Sequence, residues 1–224
     1  MATFVLVHGA WGGGWGWSHI GRALRAAGHD VHVPTLTGLG ERIHLASPAI
    51  DLSLHVRDVA NLIEYEELSD VILVGHSYGG MVITGVAGVM ADRIRTLFYL
   101  DAFLPKHGQS LWDIADDPSR RHYIEAQRGR PGMVEPFAQP GAGRRLSAHP
   151  LLTLTEPVSS AAAGGIANRT YVYATRDAPT VFTKFHQEVE ADPAWKVRTM
   201  ATGHIVMADD PEGLIALLLE EVDR

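Results

Sequence analysis

The sequence contains no cysteine. Disulfides, thiolate nucleophiles and cysteine-based metal sites are therefore excluded. Long hydrophobic runs are also missing, since no apolar stretch approaches the roughly 20 residues that span a bilayer. The N-terminus passes from Met1 almost directly into the apolar stretch Phe4 to Val7, without the basic region and the long apolar region of a signal peptide. We therefore expect a soluble, cytoplasmic protein with no membrane partner.

Positive charge is scarce. The 19 Lys and Arg are outnumbered by 26 Asp and Glu, which gives a formal net charge of −7. Nucleic acids and anionic membranes are bound by clustered Lys and Arg, so this balance predicts no nucleic-acid partner. Hydrophobic residues make up 46% of the 224 positions, and a chain of this size can bury one large core. The composition predicts a single domain over residues 1–224.

Short apolar segments alternate with longer helical patterns along most of the chain. This alternation is typical of a parallel sheet with crossover helices. It predicts an α/β fold with a mostly parallel sheet of about six strands, flanked by helices. The predicted strands are Phe4–Val7, Val31–Val33, Val71–Val74, Ile94–Leu100, Tyr171–Tyr173 and Val197–Met200.

The alternation is lost between residues 104 and 166. Pro, Gly, Arg and isolated aromatic residues replace the strand and helix patterns there. A connection this long inside a compact domain usually has a function. Because it lies between two predicted strands, we interpret residues 104–166 as an inserted cap, partly helical from Leu111 to Gln127.

The motif Gly75-His76-Ser77-Tyr78-Gly79 matches G-x-S-x-G. It follows a predicted buried strand directly and precedes a helix rich in small residues, which is the context that a nucleophilic serine requires. The tight turn lifts the serine hydroxyl above the strand ends, beside a helix N-terminus that favours developing negative charge. Ser77 is therefore the predicted nucleophile.

Acyl transfer to a serine needs two backbone N–H groups aimed at the substrate oxygen. One comes from the residue after the nucleophile, here Tyr78, and the other from the loop after the first strand. Ala10 is the predicted second donor. That glycine-rich loop, residues 8–15, could instead cradle a dinucleotide, but it lacks a G-x-G-x-x-G register and an acidic residue after the second strand.

In serine hydrolases with this motif, the acid follows the serine in the chain and the histidine comes last. His204 lies just after the last predicted strand, which makes it the predicted base. Asp177 follows the penultimate strand and is the predicted acid, with Asp101, at the end of the strand Ile94–Leu100, as the alternative. The resulting acyl-enzyme chemistry requires neither a metal nor a cofactor.

These motifs resemble the branch of the α/β-hydrolase superfamily that contains plant methyl-ester esterases, hydroxynitrile lyases and small bacterial esterases. The resemblance rests on the first strand with His8 to Trp11, the serine motif, the Asp177 turn and Gly203-His204. It supports Asp177 as the acid and implies a compact cap over small esters with aromatic or bulky apolar parts. A small-molecule ester is thus the expected partner, in an apolar pocket lined by Trp11, Phe103, Trp112 and Ile205.

Two alternatives to ester hydrolysis remain. The lyase members are expected to carry a threonine where this chain has Gly9 and a lysine where it has Ile205, so cyanide release is disfavoured. A receptor that keeps the triad but works by binding and shape change is the second alternative, and the cap is its only support in the sequence.

Overall fold

The computed structural model of the protein describes residues 1–137, 145–160 and 165–222. The strands are β1 (Thr3–Val7), β2 (Asp30–His32), β3 (Val71–His76), β4 (Ile94–Leu100), β5 (Met133–Val134), β6 (His149–Pro150), β7 (Asn168–Ala174) and β8 (Lys196–Met200). The helices are α1 (Ser18–Ala26), α2 (Leu52–Tyr65), α3 (Gly79–Val89), α4 (Leu111–Ile114), α5 (Asp117–Glu125), α6 (Leu152–Thr155), α7 (Thr183–Glu190), α8 (Val206–Asp209) and α9 (Pro211–Leu219). Short 3₁₀ helices cover Gly14–Trp17, Gly40–Leu45 and Ala91–Arg93.

A six-stranded sheet forms the centre of the molecule, in the order β2-β1-β3-β4-β7-β8. All its neighbouring strands are parallel, which confirms the predicted fold class. Both faces of such a sheet are covered, so its central strands are largely apolar. All six residues of β3 are buried, whereas the edge strand β8 has exposed positions.

Alternate residues of the central strands enter different cores because strand side chains point to opposite faces. Val5 and Leu73 belong to the core beneath α2 and α3, which also takes in Leu154 of α6. Phe4 and Ile72 belong to the opposite core, under α1 and α9. The sheet therefore separates two apolar layers, and the described residues of the segment between β4 and β7 pack on the layer beneath α2 and α3.

The strand order also locates the site. From β1 the chain moves outward to β2 on one side and then returns to β3 on the other. Ligands of open parallel sheets bind at such a switch point, outside the carboxyl ends of the strands. The carboxyl ends of β1 and β3 lead into residues 8–11 and Ser77, so the predicted oxyanion loop and the predicted nucleophile meet there.

The segment between β4 and β7, called the cap below, contains α4, α5, α6 and the antiparallel pair β5–β6. The single helical region predicted from Leu111 to Gln127 is in fact two helices. Asp116 adopts an extended conformation and its side chain accepts a hydrogen bond from the Ser119 N–H, while Pro118 occupies the first turn. A new helix therefore starts at α5. Within the described ranges, none of the helices is long and apolar enough to cross a membrane.

Candidate active site

Ser77 occupies the sharp turn between β3 and α3. Its φ angle is +56°, a left-handed conformation that costs a non-glycine residue on the order of 1–3 kcal/mol and that clusters at functional sites. Two backbone hydrogen bonds of Ser77 hold the turn. Its N–H donates to the Leu100 carbonyl at 3.3 Å, and its carbonyl accepts from the Phe103 N–H at 3.1 Å. Gly75 must be glycine, because a Cβ there would lie 2.6 Å from the Gly79 carbonyl oxygen.

His204 is held by a carboxylate at the end of β4. Its Nδ1 lies 2.6 Å from Asp101 Oδ2. The Asp101 side chain is only 1% exposed, and its other oxygen accepts from the Ala174 N–H at 3.2 Å. An acceptor at this position keeps the imidazole proton on Nδ1, so Nε2 carries the free lone pair. Asp101 thus fixes the tautomer of His204 and limits the rotation of its ring.

The predicted pairing of Asp177 with His204 is wrong, since Asp101 makes that contact. Asp177 lies beyond the end of β7, with its side chain 65% exposed and its carboxylate 4.0 Å from Arg176 Nε. The preceding residues explain its position. The Thr175 N–H donates to the Met200 carbonyl at the end of β8, and the Arg176 N–H donates to the Thr202 carbonyl just beyond it, so Asp177 lies past the sheet edge. Asp101 instead directly follows β4, the strand that pairs with β3.

The two predicted oxyanion donors, Ala10 and Tyr78, line the same cavity as Ser77 and His204. Within the described part of the chain, neither backbone N–H donates to a protein acceptor. Two N–H groups without a protein acceptor, beside a strained serine, are therefore available to a ligand oxygen.

The loop that carries Ala10 lies unusually close to the nucleophile. A Cβ at Gly9 would be 3.0 Å from Ser77 Cβ and 3.1 Å from His76 Nδ1, so a side chain here would require its neighbours to shift by a few tenths of an ångström. Trp11 then turns the chain with a φ angle of +62°, which is costly for a bulky residue. The bends at Gly9 and Trp11 fix the path of the loop at Ala10.

A cavity of about 910 Å³ opens above Ser77. Three of the predicted pocket residues, Trp11, Phe103 and Ile205, line it. The structure does not place Trp112 in this cavity: its side chain packs, half-buried, against the core beneath α2 and α3 and borders a separate groove of the cap. Sequence reasoning missed six other described lining residues that make the cavity aromatic and give it a cation: Trp15, Trp17, Tyr123, Phe137, Arg145 and Phe182.

Phe182 has a specific place among these residues. Its ring stacks on the His204 ring, with centroids 4.9 Å apart and planes inclined by 11°. It therefore limits the motion of the imidazole from one side, while Asp101 holds Nδ1. No sequence motif marks Phe182, since it lies in the irregular stretch before α7. Within residues 1–137, 145–160 and 165–222, no group of three His, Asp or Glu side chains is arranged to hold a metal ion.

Further histidines lie buried around the site. His76 donates from Nε2 to the His204 carbonyl at 2.8 Å, and the two rings lie 4.6 Å apart. Burial, aided by the nearby His204, lowers the pKa of His76 to about 3. Burial likewise lowers the pKa of His8 to about 4. His8 and His76 are therefore neutral at pH 7.

These buried histidines predict a loss of stability in mild acid. His8, His55 and His76 have folded pKa values of about 4, 4 and 3, below the value of about 6.5 in an unfolded chain. Between pH 6.5 and 4 the unfolded state therefore binds more protons, so stability falls as pH is lowered. Each group contributes a slope approaching 1.4 kcal/mol per pH unit in that window.

Urea unfolding at pH 7 and pH 5 measures this effect, and we expect the free energy of unfolding to fall by several kcal/mol. The shifted carboxylates Asp113 and Glu220 have lowered pKa values, so their contribution is lost only at more acidic pH. A free energy of unfolding that stays constant over this interval would contradict the neutral state of the buried histidines.

Comparison with known proteins agrees with this geometry. Residues 4–217 match the family described as the Alpha/beta hydrolase family. The chain belongs to the alpha/beta hydrolase family. The resemblance inferred from the serine and histidine motifs is thereby confirmed, and this hydrolase carries its elbow serine and its histidine where the family architecture places a site, at the carboxyl edge of the sheet.

Individual relatives cover almost the whole of this hydrolase. The carbendazim hydrolyzing esterase of Nocardioides sp. (strain SG-4G) is 41% identical, over 96% of this chain and 97% of its own length. Salicylic acid-binding protein 2 of Nicotiana tabacum is 27% identical over 97% and 95% of the two chains. The solved structure of an extracellular alpha/beta-hydrolase from a Paenibacillus species matches with a TM-score of 0.86 over 98% of each chain, at 22% identity, which is a likeness of fold.

Proposed function

We propose that this hydrolase cleaves small carboxylic esters through an acyl-enzyme on Ser77. The observation that carries the proposal is the 2.6 Å contact between His204 Nδ1 and the buried Asp101 carboxylate, beside a strained serine that shares a cavity with His204. An oriented imidazole next to an elbow serine serves acyl transfer. The relatives of this hydrolase include an esterase, which agrees with the proposed enzyme class, carboxylic ester hydrolase.

In the proposed mechanism, Nε2 of His204 removes the Ser77 proton as Oγ attacks the acyl carbon. Asp101 accepts a hydrogen bond from the Nδ1–H of His204 and stabilises the imidazolium. The N–H groups of Ala10 and Tyr78 donate to the negative oxygen of the tetrahedral intermediate. The imidazolium then protonates the leaving alcohol, and water, deprotonated by His204, releases the acid.

The shape of the cavity suggests the substrate class. Aromatic side chains from the oxyanion loop, the cap and the segment before α7 surround its apolar interior. An apolar pocket with few polar groups selects for apolar area and orients the ester at its polar end. We therefore propose esters with an aromatic or bulky apolar part. Gly9 and Ile205 supply neither the hydroxyl nor the ammonium that the resemblance associates with the lyases.

A substrate panel tests this function. Purified protein is assayed with short p-nitrophenyl esters, an aromatic methyl ester, carbendazim, and a lactone and an amide of matched size. We expect ester turnover well above amide turnover and no mandelonitrile cleavage. An alkyl fluorophosphonate should label Ser77 in the tryptic peptide of residues 58–93, where Ser69 is an internal control.

Two outcomes would contradict the proposal. If no ester is cleaved and the fluorophosphonate leaves Ser77 unlabelled, the acyl-enzyme mechanism is ruled out. If an aromatic acid or ester binds tightly while turnover remains negligible, the receptor alternative is favoured instead. Calorimetric titration beside the kinetic assay separates these two results.

A further inference from the structure

Trp11 is tied to the cap by every polar group that it has. Its backbone N–H donates to His149 Nδ1 at 3.3 Å, and its indole N–H donates to the Val134 carbonyl at 2.8 Å. Its carbonyl accepts from the Ser147 N–H at 2.9 Å. Trp11 immediately follows Ala10, so these bonds fix the peptide group that joins the proposed oxyanion donor to its neighbour.

The hydrogen bonds of His149 determine its tautomer. Because Nδ1 accepts from the Trp11 N–H, the ring proton is on Nε2, which faces Thr153 Oγ1 at 2.7 Å. Thr153 in turn donates to the Pro150 carbonyl at 2.7 Å. His149 is completely buried, and burial holds its pKa well below the ordinary value. The ring is therefore a fixed neutral acceptor aimed at the oxyanion loop.

His149 also contacts the second oxyanion residue. Its ring packs edge-on against the Tyr78 ring, with centroids 4.7 Å apart. The Tyr78 hydroxyl donates to His55 Nδ1 at 2.9 Å, and His55 Nε2 donates to the Thr37 carbonyl at 2.9 Å. One side chain of the cap thus holds the loop beside Ala10 and also packs on Tyr78, at the turn that carries Ser77.

We propose that His149 is a positioning residue for the oxyanion hole, through which the cap sets the direction of the Ala10 and Tyr78 N–H groups. The proposal rests on the proposed ester hydrolysis. His149 does not line the cavity within the described residues, so it acts through Trp11 and Tyr78. A misdirected donor weakens binding of the tetrahedral intermediate and leaves substrate binding largely intact, because only the oxyanion requires the full geometry.

Two substitutions of His149 separate its two hydrogen bonds. In His149→Asn the amide oxygen can take the place of Nδ1 and accept from the Trp11 N–H. In His149→Gln the longer amide reaches Thr153 but offers no acceptor near Trp11. We expect His149→Gln to lower kcat about 10- to 100-fold, less than the complete loss of an oxyanion donor, with KM nearly unchanged. His149→Asn should retain kcat within a few-fold.

A second measurement does not depend on activity. Hydrogen exchange of the Trp11 backbone amide, followed by NMR, reports whether its acceptor is present. This exchange should accelerate in His149→Gln and stay slow in His149→Asn. If His149→Gln fails to fold, Thr153→Val replaces it. The valine removes the hydroxyl that pairs with His149 Nε2, so the ring proton of His149 is no longer held on that nitrogen. Thr153→Ser is the matched control.

The outcomes are distinct. Faster Trp11 exchange together with lower kcat, both restored by the asparagine, supports the proposal. Three results overturn it. They are faster exchange with unchanged kcat in His149→Gln, unchanged exchange in the folded His149→Gln protein, and an equal loss of kcat in His149→Asn. Absence of ester turnover in the wild-type protein refutes the proposed function and the assigned oxyanion role together, while the exchange data alone then decide whether His149 holds the loop.

Discussion

Replacement of Ser77 by alanine is expected to lower kcat for a p-nitrophenyl ester by about 10⁵- to 10⁶-fold, the range found when a nucleophilic serine is removed. Only Oγ is lost, so the acyl-enzyme cannot form, while the oxyanion donors and the cavity remain. KM or the affinity for a product acid should change little. The fold should be retained, because alanine adds no atom at the φ angle of +56° that serine already adopts.

The matched control is Ser69→Ala, which removes an exposed hydroxyl shortly before β3. It should leave both the ester turnover and the fluorophosphonate labelling of Ser77 unchanged. Circular dichroism and thermal melting establish that both variants are folded. Full activity in a folded, verified Ser77→Ala protein would exclude the acyl-enzyme mechanism and the role proposed for the turn.

Replacement of Asp101 by asparagine is expected to lower kcat by about 10⁴-fold, the scale known for the amide of a triad acid. The substitution preserves side-chain shape. Asparagine also tolerates the left-handed backbone that the φ angle of +41° at Asp101 demands. The amide, however, no longer supplies a negative charge opposite the imidazolium, and its NH₂ group favours the tautomer with the proton on Nε2. His204 would then be unable to accept the Ser77 proton.

Asp177→Asn is the matched comparison, since it makes the same chemical change at Asp177, the triad acid predicted from the order of residues in the sequence. Its carboxylate is largely exposed and close to Arg176, so we expect kcat within about twofold of the wild-type value, as for surface charges in general. Both variants are measured with the same ester from pH 5 to 9. If Asp177→Asn abolishes turnover and Asp101→Asn does not, the assignment of the acid to β4 is refuted.

The connection between the cap and the oxyanion loop has a consequence for how substrates are selected. Trp11 lines the cavity and at the same time bonds to Val134, Ser147 and His149 of the cap. A substrate that displaces the cap would therefore also disturb the loop beside Ala10. In the proposed mechanism, substrate selection by the pocket and stabilisation of the tetrahedral intermediate would both depend on Trp11.

Local sequence patterns were sufficient for much of the fold. The continuous apolar run Val71–Val74 followed by Gly75 predicts a buried strand and a tight turn, because both signals depend on neighbouring residues only. The same applies to Ser77 and His204, each of which lies directly after a strand that the sequence identifies. In the cap, the run from Leu111 to Gln127 indicated helix but not its interruption, which depends on the capping of α5 by Asp116.

The sequence by itself determined the parallel α/β architecture, the elbow serine and the histidine after the last strand. Only the tertiary structure decided that Asp101 rather than Asp177 holds His204, that Trp112 lies outside the cavity, and that His149 reaches Trp11. The physical reason is that these choices depend on which strands become neighbours and on how far a chain runs past the sheet edge. The contact between Asp101 and His204 joins residues 103 positions apart, and that between Trp11 and His149 joins residues 138 positions apart. No local sequence pattern encodes contacts over such separations.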